Sequence, residues 1–295
     1  RDPEMSRGLG DVYKRQVKSL TFLGDMFDGV QCPCILLQLI ATGKPLSTAG
    51  MMIEDRTRTY TIAMERTVVP ENFSFRMTDE EYRVLEKIKN SIPVCYLADH
   101  ADFALGIVTG NNKKFLSAEK TENSEMVLKG TDICKYHINP VKQYLRFEPE
   151  QFQQVAPLEI YRAPEKLLYR FISNQLVVAY DDRQMLSLNS CNIVIPKIDG
   201  MQIKYILAIL NSSVSQFVYQ KEFHSIKVLR AHMEHIPIPR VGKAIQNEII
   251  AMTEPLICGM GKEAAETCQK RLDCRIMDLF RLSAEEQWII RHALH

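Results

Sequence analysis

Hydrophobic and polar positions change their period along the chain. Cys34–Ala41 is an almost continuous apolar run of strand length, which predicts a fully buried strand. Alternation over 57–64 predicts a second strand. Thr78-Asp-Glu-Glu81 has the capping-box sequence, and apolar residues follow it at helical spacing. We therefore predict a helix over 79–90.

Between residues 92 and 196 the apolar runs become short and are separated by Asn, Asp, Gly and Pro. The strands predicted there cover 105–108, 167–172, 176–180 and 192–195. Only three residues separate the second of these runs from the third, which is hairpin length and predicts an antiparallel meander.

The period becomes helical from Gln202 onward. The predicted helices cover 202–210, a continuation through 223, then 243–257, 261–282 and 283–293, the last with a second capping box at Ser283 and Glu286. Strands followed by helices favour an α+β fold, with a mostly antiparallel sheet domain and a helical C-terminal region.

Composition is that of a globular protein, with 46% hydrophobic and 25% charged residues in 295. No apolar run approaches the roughly 20 residues of a membrane span, and no leader opens the chain, so we expect a cytoplasmic protein without membrane contact. The eight cysteines lack paired spacing and are interpreted as reduced core residues. Cys32-Pro-Cys34 and His232-Met-Glu-His235 lack further ligands, so no metal site is predicted.

The net charge of +1 argues against indiscriminate nucleic-acid binding, which needs many cations to release counterions. Any DNA contact must therefore be local. The segment 221–243 is locally basic, with five lysines and arginines, three histidines and two glutamates. Within it, Lys227 and Arg230 would either face phosphate or lie on a merely solvated surface.

Two other segments carry the functional argument. In Leu105–Phe115 an apolar run gives way to the polar loop Thr109-Gly-Asn-Asn-Lys-Lys114. Its amides suit base edges and its ammonium groups suit phosphates, although a solvated turn has similar composition. In Tyr205–Ser213 an apolar helix face, predicted to be core, ends in Asn-Ser-Ser.

These two segments resemble the TaqI-like specificity domain, the target-recognition half of DNA adenine-N6 methyltransferases in restriction-modification systems. Similar stretches are Tyr161–Tyr169, Leu176–Asp182 and His235–Pro239. The resemblance implies recognition of a specific double-stranded DNA sequence, a partner methyltransferase domain upstream, and S-adenosylmethionine as cofactor of the parent enzyme. Leu23–Val30 is similar to the end of the catalytic domain, where Phe27 would stack on a flipped adenine. The alternative is that Phe27 is an ordinary core residue.

The sequence contains neither a glycine-rich cofactor loop nor an Asn/Asp-Pro-Pro-Tyr/Phe segment. We therefore expect this fragment to be inactive and to bind no cofactor, with no catalytic residue beyond a stacking role for Phe27. Asp181-Asp182 is interpreted as turn chemistry or a loop near DNA, and not as a nuclease pair.

The predicted organisation has five parts. They are a cloning or assembly remnant over 1–16, the last strands of a catalytic domain over 17–66, a linking helix over 67–91, a target-recognition domain over 92–240 and a helical tail over 241–295. The predicted DNA-binding residues are Thr109, Gly110, Asn111, Asn112, Lys113, Lys114, Lys221, His224, Lys227, Arg230 and Arg240. Two alternatives remain open: a non-enzymatic interaction module that uses the tail, and an intact nuclease or methyltransferase.

Overall fold

The computed structural model describes residues 15–29, 32–41, 47–66, 75–223 and 225–294. Most of the predicted remnant at 1–16, the start of the predicted linker and His224 lie outside these described residues. The chain divides into two compact units, residues 1–83 and 84–295.

The first unit is built around one four-stranded sheet. Its strands are β1 (Arg15–Asp25), β2 (Pro33–Ala41), β3 (Met52–Glu54) and β4 (Thr59–Thr61), in the order β2-β1-β3-β4. β1 and β2 form an antiparallel hairpin, whereas β3 runs parallel to β1. The core of this unit consists of Val17, Leu20, Met51, Ile53, Ile62 and Phe75.

β2 forms at the predicted position, but the prediction that it is buried is wrong. Ile35, Leu36, Leu37, Leu39 and Ile40 all have between 41% and 56% of their surface exposed. Among the described residues β2 is an edge strand that pairs with β1 alone. An apolar run shows that a strand prefers burial, but not whether the covering elements are present.

The helix predicted over 79–90 is present as α1 (Asp79–Asn90). Its capping box is complete, because the Thr78 N–H donates to Glu81 Oε2 at 2.8 Å and the Glu81 N–H donates to Thr78 Oγ1 at 3.3 Å. Arg58 forms a 3.1 Å ion pair with the same carboxylate.

The second unit contains three further sheets. Its strands are β5 (Val94–Cys95), β6 (Ala101–Ala104), β7 (Leu116–Ser117), β8 (Ser124–Leu128), β9 (Tyr144–Arg146), β10 (Lys166–Arg170), β11 (Val178–Asp181), β12 (Leu186–Ser187), β13 (Cys191–Pro196) and β14 (Ile238–Pro239). They are ordered β11-β10-β13-β6, β12-β8-β9-β7 and β14-β5. The predicted hairpin is confirmed by antiparallel pairing of β10 with β11. The strand predicted over 105–108 is wrong in position, since β6 ends at Ala104 and only isolated bridges follow.

Helices complete this unit. They are α2 (Asn112–Phe115), α3 (Leu158–Tyr161), α4 (Ile203–Asn211), α5 (Ser213–Glu222), α6 (Arg230–Glu234), α7 (Lys243–Ile257), α8 (Lys262–Leu279) and α9 (Ala284–Ala293). Two single turns of 3-10 helix cover Gly130–Asp132 and Pro149–Gln151. The predicted α+β class is confirmed: the sheets are mostly antiparallel and the C-terminal region is helical.

The Leu-Asn-Ser end of α4 is scaffold. Asn211 is fully buried, and its side chain accepts from the Val178 N–H at 3.0 Å and donates to the Val178 carbonyl at 2.8 Å. The amide thus pairs with β11 as a neighbouring strand would. Ser212 then begins α5, since its hydroxyl accepts from the Ser215 N–H at 3.2 Å.

The helical tail packs against the rest of the second unit. α7 contacts α4, while α8 and α9 both contact α5. Asp273 on α8 accepts from the Ser213 N–H at 2.8 Å, and Lys204 forms a 2.7 Å ion pair with Glu254 on α7. Its last helix begins with the predicted capping box at Ser283 and Glu286.

The structure shows where the cysteines lie and how long and apolar its helices are. All eight cysteines are unpaired, but only Cys95 and Cys191 are buried, so the prediction that all of them are core residues is wrong. Among the described residues, no helix is long and apolar enough to cross a membrane.

Candidate nucleic-acid interface

The recognition loop, residues 109–114, is held by its own side chains. The buried Thr109 hydroxyl donates to Asn112 Oδ1 at 2.6 Å, and Asn111 Oδ1 accepts from the Lys114 N–H at 3.2 Å. Gly110 takes φ +74°, where glycine has no steric penalty. Both asparagine oxygens therefore hold the loop, while both Nδ2 groups lack a partner in the described part of the chain.

A second segment, which we call the glutamine segment (Gln151-Phe-Gln-Gln154), lies against this loop. The backbones of Val108 and Gln154 exchange two hydrogen bonds of 2.9 and 3.0 Å. Lys114 Nζ donates to Gln151 Oε1 at 2.7 Å. A Cβ atom placed on Gly110 would lie 3.4 Å from Gln153 Cβ, so the loop and the segment are in close contact.

The glutamines of this segment differ in their engagement. Both ends of the Gln151 amide have partners, because its Nε2 also donates to Glu148 Oε2 at 2.6 Å. Glu148 in turn forms a 2.7 Å ion pair with Arg146. Gln153 and Gln154 are exposed, and no side-chain hydrogen bond involves either among the described residues. Lys113 is likewise exposed and forms no ion pair within the described ranges.

Tyr161 connects this surface to the core. Its hydroxyl donates to the Leu105 carbonyl and accepts from the Ala156 N–H, both at 3.2 Å, so it joins the chain before the loop to the chain after the glutamines. Burial raises the pKa of Tyr161, and the hydroxyl therefore stays protonated and able to donate at neutral pH. The Tyr161 carbonyl accepts from Lys166 Nζ at 2.7 Å.

Lys166 and Asp181 form a fully buried ion pair of 2.6 Å. Asp181 also accepts from the backbone N–H groups of Arg183 and Met185, both at 2.9 Å. The interpretation of this aspartate as turn chemistry is therefore correct. Burial lowers the pKa of Lys166, and the charge of Asp181 opposes that change.

Arg230 lies at a groove of about 660 Å³ beside this surface. Its guanidinium is 5.2 Å from the Phe103 ring centroid, and its Nε donates to Glu234 Oε1 at 2.7 Å. That hydrogen bond raises the pKa of Arg230, so the side chain is permanently cationic. Tyr169 also lines the groove, and burial raises its pKa to about 12. Gln154 lines the same groove, so the groove adjoins the recognition loop.

The other predicted contacts are dispersed. Lys227 is exposed beside Ile172, three residues before Arg230. Lys221 is only 6% exposed, with its ammonium 5.8 Å from the Phe217 ring centroid, so the prediction that it lies on a DNA-facing surface is wrong. Arg240 is exposed, but its N–H donates to Pro93, which places it at the β5–β14 sheet and not at the loop.

Phe27 belongs to the first unit, in the turn between β1 and β2. Its side chain is 64% exposed, so the alternative that it is an ordinary core residue is wrong. Met26 beside it is 56% exposed. The stacking role stays a prediction.

Sequence reasoning missed the glutamine segment. The run Gln-Phe-Gln-Gln is visible in the sequence, and three amides in four residues could have drawn attention. Its importance depends on the bridge to Val108, which lies 46 residues earlier and which only the fold brings close. Among the described residues, no group of three or more His, Cys, Asp or Glu side chains could hold a metal ion.

Residues 125–238 match the model of the TaqI-like C-terminal specificity domain family. This segment is therefore similar to a TaqI-like specificity domain. The match includes Tyr161, Lys166 and Arg230 but begins after the recognition loop. The backbone bridge from Val108 to Gln154 nevertheless joins that loop to the matched segment.

Solved structures with similar folds come from restriction-modification systems. The type IIL enzyme MmeI, in complex with DNA, matches with a TM-score of 0.57 at 9% identity over 99% of this chain and 46% of that one, which shows the fold alone. The HsdS subunit from Thermoanaerobacter tengcongensis matches with a TM-score of 0.38 at 15% identity, covering 73% of this chain and 50% of that one. The type IIG restriction endonuclease BpuSI matches with a TM-score of 0.38 at 10% identity, covering 93% and 44%. The chain thus spans about half the length of these structures. No curated protein matches it.

S-adenosylmethionine does not fit the described residues of the first unit. Its described glycines with positive φ are Gly24, which lies inside β1, Gly29, which lies between β1 and β2, and Gly50, which precedes β3. A methionine-binding loop of the strand-to-helix type would need glycines between a strand and a helix.

Proposed function

We propose that this chain recognises a specific double-stranded DNA sequence as the specificity region of a restriction-modification adenine-N6 methyltransferase. The observation that carries the proposal is the composite surface of the recognition loop and the Arg230 groove. It presents unpaired amide groups beside exposed cations, on a backbone fixed by the Thr109, Lys114 and Tyr161 hydrogen bonds. Amides read base edges and cations bind phosphates, so both parts of a specific interface are present.

The parent enzyme would contain an upstream methyltransferase domain that binds S-adenosylmethionine. Support for this part comes from β2, whose apolar side chains are exposed on an edge strand and need a cover. Phe27 would stack on the flipped adenine, since its ring is free and a base taken out of the duplex needs a new stacking partner. In this division of labour the chain positions the DNA and the absent domain performs the methyl transfer.

The test of DNA recognition is a binding titration by fluorescence anisotropy at several salt concentrations. A selected duplex should bind, and its affinity should fall steeply as salt rises because phosphate contacts release counterions. Lys113→Ala with Arg230→Ala should reduce the salt slope by about two, at about one for each lost phosphate contact. Lys262→Ala, an exposed lysine at the start of α8, is the matched control and should leave the slope unchanged.

The proposal fails if the unchanged chain selects no sequence from a random duplex library. It also fails if Lys262→Ala and the double variant weaken binding equally. For the catalytic part, the chain incubated with labelled S-adenosylmethionine and the selected duplex should transfer no methyl group. Labelled DNA would show that it is a complete enzyme.

A further inference from the structure

We propose that Gln153 reads an adenine base in the major groove and determines part of the target sequence. This inference rests on the proposed function, which it extends from DNA binding in general to one side chain and one base. Gln153 is exposed, and both its amide oxygen and its amide nitrogen lack a partner among the described residues. Adenine presents N6–H₂ and N7 side by side, which an unengaged carboxamide binds through two hydrogen bonds.

Gln151, unlike Gln153, already has a partner at each end of its amide. Gln151 accepts from Lys114 and donates to Glu148, so binding a base would break two short hydrogen bonds of 2.7 and 2.6 Å. Gln153 would give up only water. Gln151 therefore fixes the loop, while Gln153 is available to a ligand.

Gly110 lies next to this side chain. A Cβ atom at position 110 would lie 3.4 Å from Gln153 Cβ and 3.7 Å from Gln153 Oε1. The positive φ of Gly110 is also a conformation that other residues adopt with strain. The loop thus approaches Gln153 without covering its amide, and the exposed Lys113 lies three residues beyond on the same loop.

The two exposed glutamines differ in their position relative to the backbone bridge between Val108 and Gln154. Gln154 is the bridged residue, and its side chain lines the groove with Arg230. Gln153 lies in the bend before the bridge, where its Cβ is 3.4 Å from the Cβ position of Gly110, and it does not line that groove. Gln153 therefore belongs to the recognition loop and not to the Arg230 groove.

The experiment compares base preferences of matched variants. The full 295-residue chain is used to select a consensus from a random duplex library, and binding is then measured for every single-base replacement of that consensus. Gln153→Ala should lose about 5- to 150-fold of discrimination at one adenine position, the range expected for a bidentate pair. Its salt slope should not change, since no phosphate contact is lost. Lys113→Ala should instead weaken binding to all sequences about equally.

Gln153→Arg tests for a new base preference, which the variant would not acquire if Gln153 had only a structural role. Arginine binds the adjacent acceptors O6 and N7 of guanine, so this variant should prefer guanine at the position where the unchanged chain prefers adenine. Thermal unfolding by circular dichroism checks that each variant is folded.

The outcomes separate the inference from the function on which it rests. If the unchanged chain selects a consensus but Gln153→Ala keeps every base preference, the inference is overturned and sequence recognition stands. A consensus in which no adenine replacement lowers affinity overturns it in the same way. If the unchanged chain selects no consensus, the proposed function itself is wrong and the inference falls with it.

Discussion

The fully buried pair Lys166 and Asp181 is the residue-scale feature on which the candidate site depends most. Lys166 links the turn at Asp181 to the Tyr161 carbonyl, and the Tyr161 hydroxyl holds the backbone on either side of the interface. A buried charge without its partner is costly, whereas an exposed pair contributes little.

Lys166→Met should therefore lower the free energy of unfolding by about 3–5 kcal/mol, because it leaves the Asp181 carboxylate buried and uncompensated. The control is Lys197→Met at the exposed 2.5 Å pair with Asp102, where we expect less than about 1 kcal/mol. Urea titrations measure both. Similar losses for the two variants would contradict this account. Lys166→Met with Asp181→Asn removes the uncompensated charge and keeps one acceptor for the Arg183 and Met185 N–H groups, so it should recover part of the stability.

His232 gives the second unit a dependence on pH. Its ring stacks on Phe223 with centroids 4.4 Å apart, and its Nδ1 accepts from the Leu229 N–H at 3.2 Å. Burial lowers the pKa of His232 from its ordinary value of 6.5; the Lys227 backbone opposes this change and the charge of nearby His235 adds to it. The folded protein thus binds fewer protons than the unfolded chain just below pH 6.5.

The stabilisation from neutral His232 should be complete above pH 6.5 and be lost as the pH falls through the lowered pKa of the folded state. His232→Asn keeps an acceptor for Leu229 but does not titrate, so it should be less stable at pH 7.5 and lose less further stability at pH 5. Urea midpoints at the two pH values measure the difference. If the unchanged chain and His232→Asn lose the same stability between pH 7.5 and pH 5, titrating groups other than His232 cause the acid sensitivity.

At the scale of elements, the tail is part of the second unit. Ile249 on α7 is fully buried, and α7 contacts α4, whose own residues from Tyr205 to Asn211 are buried. The tail therefore has a structural role, whatever else its outer surface binds.

Ile249→Ala should cost about 2–5 kcal/mol, the range for truncation of a buried aliphatic side chain. Because α7 supports α4, and α4 supports β10 and β11, amide hydrogen exchange in β10 should become faster. Met260→Ala, at a side chain that is 38% exposed, is the control. If exchange changes only within the tail, the tail is a separate folding unit.

The sequence predicts those elements whose signals are local. The helix at 79–90 and the start of α9 follow from capping boxes, in which both partners lie within four residues. Lys221 was misplaced because local charge does not reveal that the residue is buried, with its ammonium 5.8 Å from the Phe217 ring centroid. The glutamine segment was missed because its partner, Val108, is distant in the chain.

At the scale of the molecule, β2 stands out because its apolar side chains are exposed. Five large aliphatic side chains on one edge strand are exposed, which is typical of a surface that another domain or chain covers. Periodicity predicted the strand, but an apolar run does not show which elements pack against it, so the exposure of its side chains could not be predicted.

Leu36→Lys with Ile40→Lys should reduce concentration-dependent self-association while leaving unfolding nearly unchanged, because both side chains are about half exposed. Sedimentation velocity at increasing protein concentration measures the association. Ile53→Lys, at a fully buried position, is the control and should unfold the first unit. If the double variant self-associates as strongly as the unchanged chain, β2 is not the surface through which the chains associate.

The bridge between Val108 and Gln154 consists only of backbone atoms. Side chains at 113 and 153 can therefore be exchanged while the two segments keep their spacing. In a scaffold of this kind the backbone geometry does not depend on the side chains proposed to contact bases. New target sequences can therefore be acquired one base pair at a time, by natural divergence or by engineering.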